Sequence, residues 1–333
     1  MNNKWCNSIL NNPERMGLPI MTNPGIEFIH KHVIDAVTNG EIHYQAIKAL
    51  IDTYKNDSCT VIMDLTVEAE AFGAKINFSP NDVPAVSERL VHDEETINQL
   101  KIPDLNTARI PEYLKANRLV VENYPEINVF SGCIGPFSLA ARLFDMSEIM
   151  MSLYIEPETI KILLDKCNRF ILKYCESLKK LGVTGVIMAE PAAGLLSNED
   201  CQVYSSYYVK RIVDELQDEN FAIVMHNCGN SGQCTQAMID TGACALHFGN
   251  TIDMVETLKL CPSETIVMGN LDPVIVFQQS APEEVYNQTL KLLNDTSTYK
   301  NFVLSTGCDV PPNVSDDNIK AFYRALDDFN MTR

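Results

Sequence analysis

The sequence predicts an α/β fold, a (β/α)8 barrel with an N-terminal helical extension, and three observations carry that reading. Short apolar runs rich in β-branched residues recur along the chain, each ends in a polar, Gly or Pro cluster, and helically spaced stretches separate them. Near-continuous apolar strands alternating with helices are what a parallel sheet covered on both faces requires. Eight such runs suggest a closed barrel, with an open doubly wound sheet as the alternative.

In chain order the runs are LPIM at 18–21, TVIMD at 60–64, INVFSG at 127–132, TGVIMAEP at 184–191, AIVMHNCG at 222–229, ALHFGN at 245–250, TIVMGNLDP at 265–273 and FVLSTGCD at 302–309. The polar, strand-poor segment from about 81 to 126 reads as a helical or loop excursion between the second and third strands. The stretch from Ser147 to Gly182 has apolar residues three and four apart and ends in Lys179, Lys180 and Gly182, cations and a glycine that suit a helix C-terminus. Near the end, Ser315 before Asp316 and Asp317 reads as an N-cap with an acidic first turn. No linker or repeat interrupts the chain, so residues 1–333 are expected to form one domain.

The 44 acidic residues outweigh the 26 Lys and Arg, for a net charge of -18. Such a surface repels phosphate backbones and anionic membranes, which argues against nucleic acid and membrane as partners. The opening residues lack the apolar core of a signal peptide, and no run approaches the roughly 18 apolar residues of a membrane span, so a cytoplasmic protein is expected. Eleven cysteines without regular spacing fit reduced thiols better than a disulfide scaffold. A homodimer is compatible with the sequence.

In such a barrel the chemistry gathers where strands end and loops converge. Asp64, Glu190, His226, Cys228, Asn250, Asn270, Asp272, Cys308 and Asp309 all fall at predicted strand ends. His226 and Cys228 are two apart, which points both side chains the same way. With Cys308 they make a His/Cys/Cys set whose soft sulfurs favour zinc and whose three donors leave a fourth position open. The alternative is packing, since a buried thiol behaves as a small hydrophobe. Cys234 is a rival ligand just beyond the same turn. Cys59, Cys133, Cys167, Cys175, Cys201, Cys244 and Cys261 are read as packing residues, and His30, His32, His43 and His92 as surface or structural. His247 lies within an apolar run, facing either the interior or the helix layer. Glu190 and Asp64 are candidate catalytic carboxylates, or loop caps. Asn250, Asn270 and Asp272 are candidate cofactor contacts, although GNLDP also suits a turn.

These residues resemble the uroporphyrinogen decarboxylase superfamily and, within it, the methylcobamide:coenzyme M methyltransferase branch. The resemblance runs through DLTVEAEAFGAKINF from Asp64, GPFSLAARL from Gly135, HNCGN from His226, MGNLDPVIVFQQSAPEEV from Met268 and STGCDVPPNVSDDNIKAFYRAL from Ser305. It implies the barrel fold and His226, Cys228 and Cys308 as zinc ligands. It also implies methyl transfer between a methyl-corrinoid on a separate carrier protein and a small-molecule thiol such as coenzyme M. Glu190 or Asp64 would then take the thiol proton or orient a ligand.

The departures from the decarboxylase are informative. Its early arginine-rich motif is replaced by TNPGIEF at 22–28, its tyrosine after the GPF motif by Arg142, and its late Gly-His by Gly307-Cys308. A site for a many-carboxylate porphyrinogen without those cations is badly matched. Porphyrinogen decarboxylation therefore ranks second, and a non-catalytic corrinoid- or tetrapyrrole-binding barrel third.

Overall fold

A computed structural model describes residues 3–54 and 56–332. Its strands are β1 (Ser58–Thr60), β2 (Ile76–Asn77), β3 (Ala85–Val86), β4 (Asn128–Ile134), β5 (Gly185–Ala189), β6 (Ala222–Asn227), β7 (Ala245–Phe248), β8 (Ile266–Leu271) and β9 (Phe302–Thr306). Seven of them form one curled parallel sheet in the order β1, β4, β5, β6, β7, β8, β9, each beside the strand that precedes it in the sheet. β2 and β3 form a separate antiparallel hairpin, which the polar composition of that stretch did not announce.

The expected eight regular strands become seven, which corrects the sequence reading at the first run. Residues 16–21 are extended, and only Gly17 bridges Leu304 of β9. Leu18 N–H donates to Leu304 O at 2.8 Å, Leu304 N–H to Met16 O at 3.0 Å, and Met21 N–H reaches the Thr60 hydroxyl of β1 at 3.3 Å. This segment thus touches both outer strands without becoming one. Pro19 has no N–H to give, which interrupts a regular ladder.

Side-chain alternation divides the sheet into two apolar layers. On the concave face Phe130, Ile187, Ala189, Ala222, Val224, Ala245, Ile266, Met268 and Val303 pack together. On the other face Val186, Met188, Ile223, Met225, Leu246, Val267, Phe302 and Leu304 meet the surrounding helices. The expected N-terminal extension is helix Lys4–Asn11, which puts Trp5, Cys6 and Ile9 into the concave layer. Its Lys4 N–H bonds Glu219 O just before β6, so it plugs the end where strands begin. The opposite end is left as the mouth.

Helix signals in the sequence hold with one break. The stretch from Ser147 to Gly182 is two helices, Met146–Ile155 and Pro157–Leu181, because Pro157 starts a new first turn. Gly182 adopts φ 90° at its end, the left-handed cap that glycine allows. Ser315 caps helix Asp316–Met331 through Asn318 N–H. The excursion after the hairpin holds helices Glu94–Gln99 and Ile110–Asn123. Among the described residues no helix is long and apolar enough to cross a membrane.

Candidate metal centre

His226 is the fifth residue of β6 and Cys228 follows the strand directly, while Cys308 lies two residues past β9. The strand ends converge, and one donor atom from each of the three residues lies within 4.8 Å of the other two. His226 Nε2 and Cys308 Sγ are 3.8 Å apart. All eleven cysteines are free, and Cys228 and Cys308 are the two that are half-buried while the other nine are buried. Accessibility therefore sets these two thiols apart from the other nine, where spacing does not. Cys234, the rival, points its Sγ at Ala193 O and Leu196 O, each at 3.4 Å, away from the trio.

The thiols titrate as a pair. Cys228, whose thiolate accepts from Cys308, falls to about 7, and Cys308 rises to about 12 for the same contact plus burial. One proton leaves easily and the second stays, until a cation compensates the second negative charge. Tetrahedral zinc with Zn–S bonds of about 2.3 Å separates two sulfurs by roughly 3.8 Å. The three donor atoms lie within 4.8 Å of one another, a span one such ion can draw together, so the donor set fits the ion that the resemblance implies.

Behind His226 a second ring completes the centre. His226 Nδ1 lies 2.8 Å from His247 Nδ1, in strand register across β6 and β7, and His247 Nε2 lies 2.9 Å from Ser305 Oγ. Burial holds His247 well below the usual histidine range. Asp309 forms part of the same wall, its carboxylate accepting from the Thr22 hydroxyl at 3.2 Å. Burial and the neighbouring Cys308 push it up to about 7.

The other expected residues ring the mouth but are occupied. Glu190 is fully buried, and its two oxygens accept from Phe137 N–H at 2.9 Å and Ser138 N–H at 2.8 Å, at the start of helix Pro136–Phe144. Burial raises its pKa to about 7. Asp64 is bound by the Arg109 guanidinium, by Thr66 N–H and hydroxyl at 2.9 and 2.6 Å, and by Tyr113 OH at 3.2 Å. Asn270 Nδ2 holds the 249–252 loop through Gly249 O and Ile252 O, and Asp272 caps the following turn through Val274 and Ile275 N–H. Asn250 donates to Asp272 at 2.6 Å. This brace presses on the centre: a Cβ on Gly249 would stand 2.9 Å from Cys228 Cα, and one on Gly307 would stand 2.6 Å from Asn250 N.

The uroporphyrinogen decarboxylase (URO-D) family profile matches residues 20–329. The chain belongs to the uroporphyrinogen decarboxylase family. Within that family it is 30% identical over 258 residues to the methylcobamide:CoM methyltransferase MtbA of Methanosarcina mazei, covering 76% of this chain and 74% of that protein. The uroporphyrinogen decarboxylase of Cellvibrio japonicus is 24% identical over 305 residues, 88% of this chain and 84% of the relative. A solved methyltransferase from Methanosarcina mazei superposes with a TM-score of 0.88 at 20% identity, over 98% of both chains, a shared fold. At 30% identity the methyltransferase match is higher than the decarboxylase match, and the chain is an enzyme that transfers methyl groups.

Three buried polar residues near the strand ends, His247 beside His226, Arg109 on Asp64, and Glu68, carry no clear site signal in the sequence. His247 lies inside an apolar run and Arg109 inside the polar excursion, so neither falls at a predicted strand end. Glu68, one turn past Asp64, is 1% exposed, accepts from Ile134 N–H at 3.0 Å and is raised by burial to about 7. An acidic residue inside VEAEAF was the available signal, but it reads equally well as helix surface.

Proposed function

We propose that the protein is a zinc-dependent corrinoid methyltransferase that moves a methyl group from a methyl-corrinoid to a small-molecule thiol such as coenzyme M. The observation that carries this is the convergence of His226, Cys228 and Cys308, with the two thiols alone half-buried among eleven. We further take residues 16–21 to close the curled sheet into the family's barrel, so that the trio lies at its mouth.

His226, Cys228 and Cys308 would hold the zinc. Bound there, the ion would let a substrate thiol lose its proton to solvent near neutral pH, while the two cysteinates would keep the site electron-rich. The substrate sulfur then attacks the methyl carbon, a C–S bond forms as the Co–C bond breaks, and the electron pair stays with the corrinoid as cobalt(I). Glu190 and Asp64 have their oxygens engaged by backbone N–H groups and Arg109 respectively. Of the two roles open to them, positioning is the one this geometry supports. Asn250, Asn270 and Asp272 fix the wall that a corrinoid would meet.

The corrinoid arrives on a separate carrier protein. Leu195, at the end of the short helix Pro191–Leu195 after β5, is 65% exposed, and Ile275, in the helical turn Pro273–Gln278 after β8, is 61% exposed, apolar side chains past the strand ends that a docking partner would cover. Metal analysis of purified wild type beside Cys228→Ala and Cys308→Ala tests the centre. One zinc per chain in wild type and loss in both variants is expected, and undiminished zinc in both removes it. Mixing the enzyme with methylcobalamin and a thiol panel, and following the cobalt spectrum, tests the reaction. Turnover of a porphyrinogen instead would establish the decarboxylase reading.

A further inference from the structure

We propose that His247, held by Ser305, is a positioning residue that locks His226 with its hydrogen on Nδ1 and its lone pair on Nε2, facing the Cys308 thiol. The direction of every hydrogen follows from one fixed point. Leu18 O is a backbone carbonyl and only accepts, so the single hydroxyl hydrogen of Ser305 goes to it, at 2.6 Å. Ser305 Oγ must then accept from His247 Nε2–H at 2.9 Å. His247 is fully buried, and among the described residues no carboxylate hydrogen-bonds to its ring, so it is neutral and keeps a bare lone pair on Nδ1. The 2.8 Å contact between the two Nδ1 atoms requires a hydrogen, and only His226 can supply it.

The relay therefore runs from the extended N-terminal segment through β9 and β7 to β6, and it ends on a ring whose Nε2 is free. A free imidazole in water prefers the opposite tautomer, with Nε2 protonated, so the relay does chemical work: it presents the ligand nitrogen before any metal arrives. Another histidine in the place where metal-ligating histidines ordinarily find a carboxylate or carbonyl also leaves the centre without added negative charge. That matters where two cysteinates already balance the ion.

The proposal deepens the metal reading but is tested apart from it. In metal-free wild type, long-range 1H–15N spectra of the histidine rings are expected to show His226 with a pyrrole-like Nδ1 and a pyridine-like Nε2. A pyridine-like Nδ1 at His226 would overturn the proposal, whether or not zinc binds. Zinc affinity, measured by chelator competition, is expected to fall roughly 10–100-fold in His247→Phe. His247→Gln is expected to restore most of it, because its carboxamide oxygen accepts from His226 while its NH2 donates to Ser305. Equal affinity in wild type and His247→Phe, or equal loss in the Phe and Gln variants, counts against it. Wild type that shows the expected rings yet takes up no zinc would sustain the relay and defeat the metal reading.

Discussion

Asp64 is 4% exposed, an anion out of reach of water, and the Arg109 guanidinium that meets it is 6% exposed and also reaches Glu70 and Thr66. Each charge is tolerable only because the other is there. Arg109→Met leaves Asp64 uncompensated, and urea titration is expected to show a loss of about 3–5 kcal/mol. Glu68 behaves differently, because burial raises its pKa from 4.5 to about 7. The folded protein thus keeps a proton that the unfolded chain has released between those values, and this group's contribution to stability is lost as pH rises through that window. Glu68→Gln lacks that slope. Relative to wild type it is expected to gain about 1–3 kcal/mol between about pH 5 and about pH 8, read from urea midpoints at each pH. A constant difference across that range would show that burial does not hold the proton.

At the scale of elements, the loops after β7 and β9 come together only because glycines stand where they touch. Gly307→Ala places a methyl group 2.6 Å from Asn250 N, against backbone that cannot swing away as a side chain does. A loss of about 1–3 kcal/mol is expected, with weaker zinc binding as the Cys308 turn moves. The helix Lys4–Asn11 acts at the other end. Trp5 is 4% exposed and meets the Phe130 ring edge-on with centroids 4.7 Å apart. Trp5→Ala is expected to cost about 3–5 kcal/mol on thermal or urea unfolding and to leave zinc stoichiometry unchanged. Loss of metal in that variant while the protein stays folded would mean that the two ends are coupled.

For the whole molecule, one end of the curled sheet is plugged by helix Lys4–Asn11 and the other carries His226, Cys228 and Cys308, so the proposed carrier protein would have one face to approach. Ile275→Asp is expected to raise the KM for a carrier-bound methyl-corrinoid several-fold and to leave free methylcobalamin turnover near wild type. An equal effect on both would place the fault in the site instead of the docking surface.

The sequence by itself determined the parallel strands and the caps at Gly182 and Ser315, since these depend on local periodicity and end chemistry, and it placed His226, Cys228 and Cys308 at strand ends, while their reading as a ligand set came from the family resemblance. The tertiary structure decided what local pattern leaves open. It made the first run an extended segment instead of a strand, because Pro19 interrupts its ladder. It separated Cys228 and Cys308 from nine other thiols by accessibility, and it turned Glu190, Asp64 and Asp272 toward partners that claim their oxygens. It also set His247 level with His226 and within reach of Ser305, an arrangement that depends on the register of strands far apart in the chain and on the curl that brings β9 across to β7.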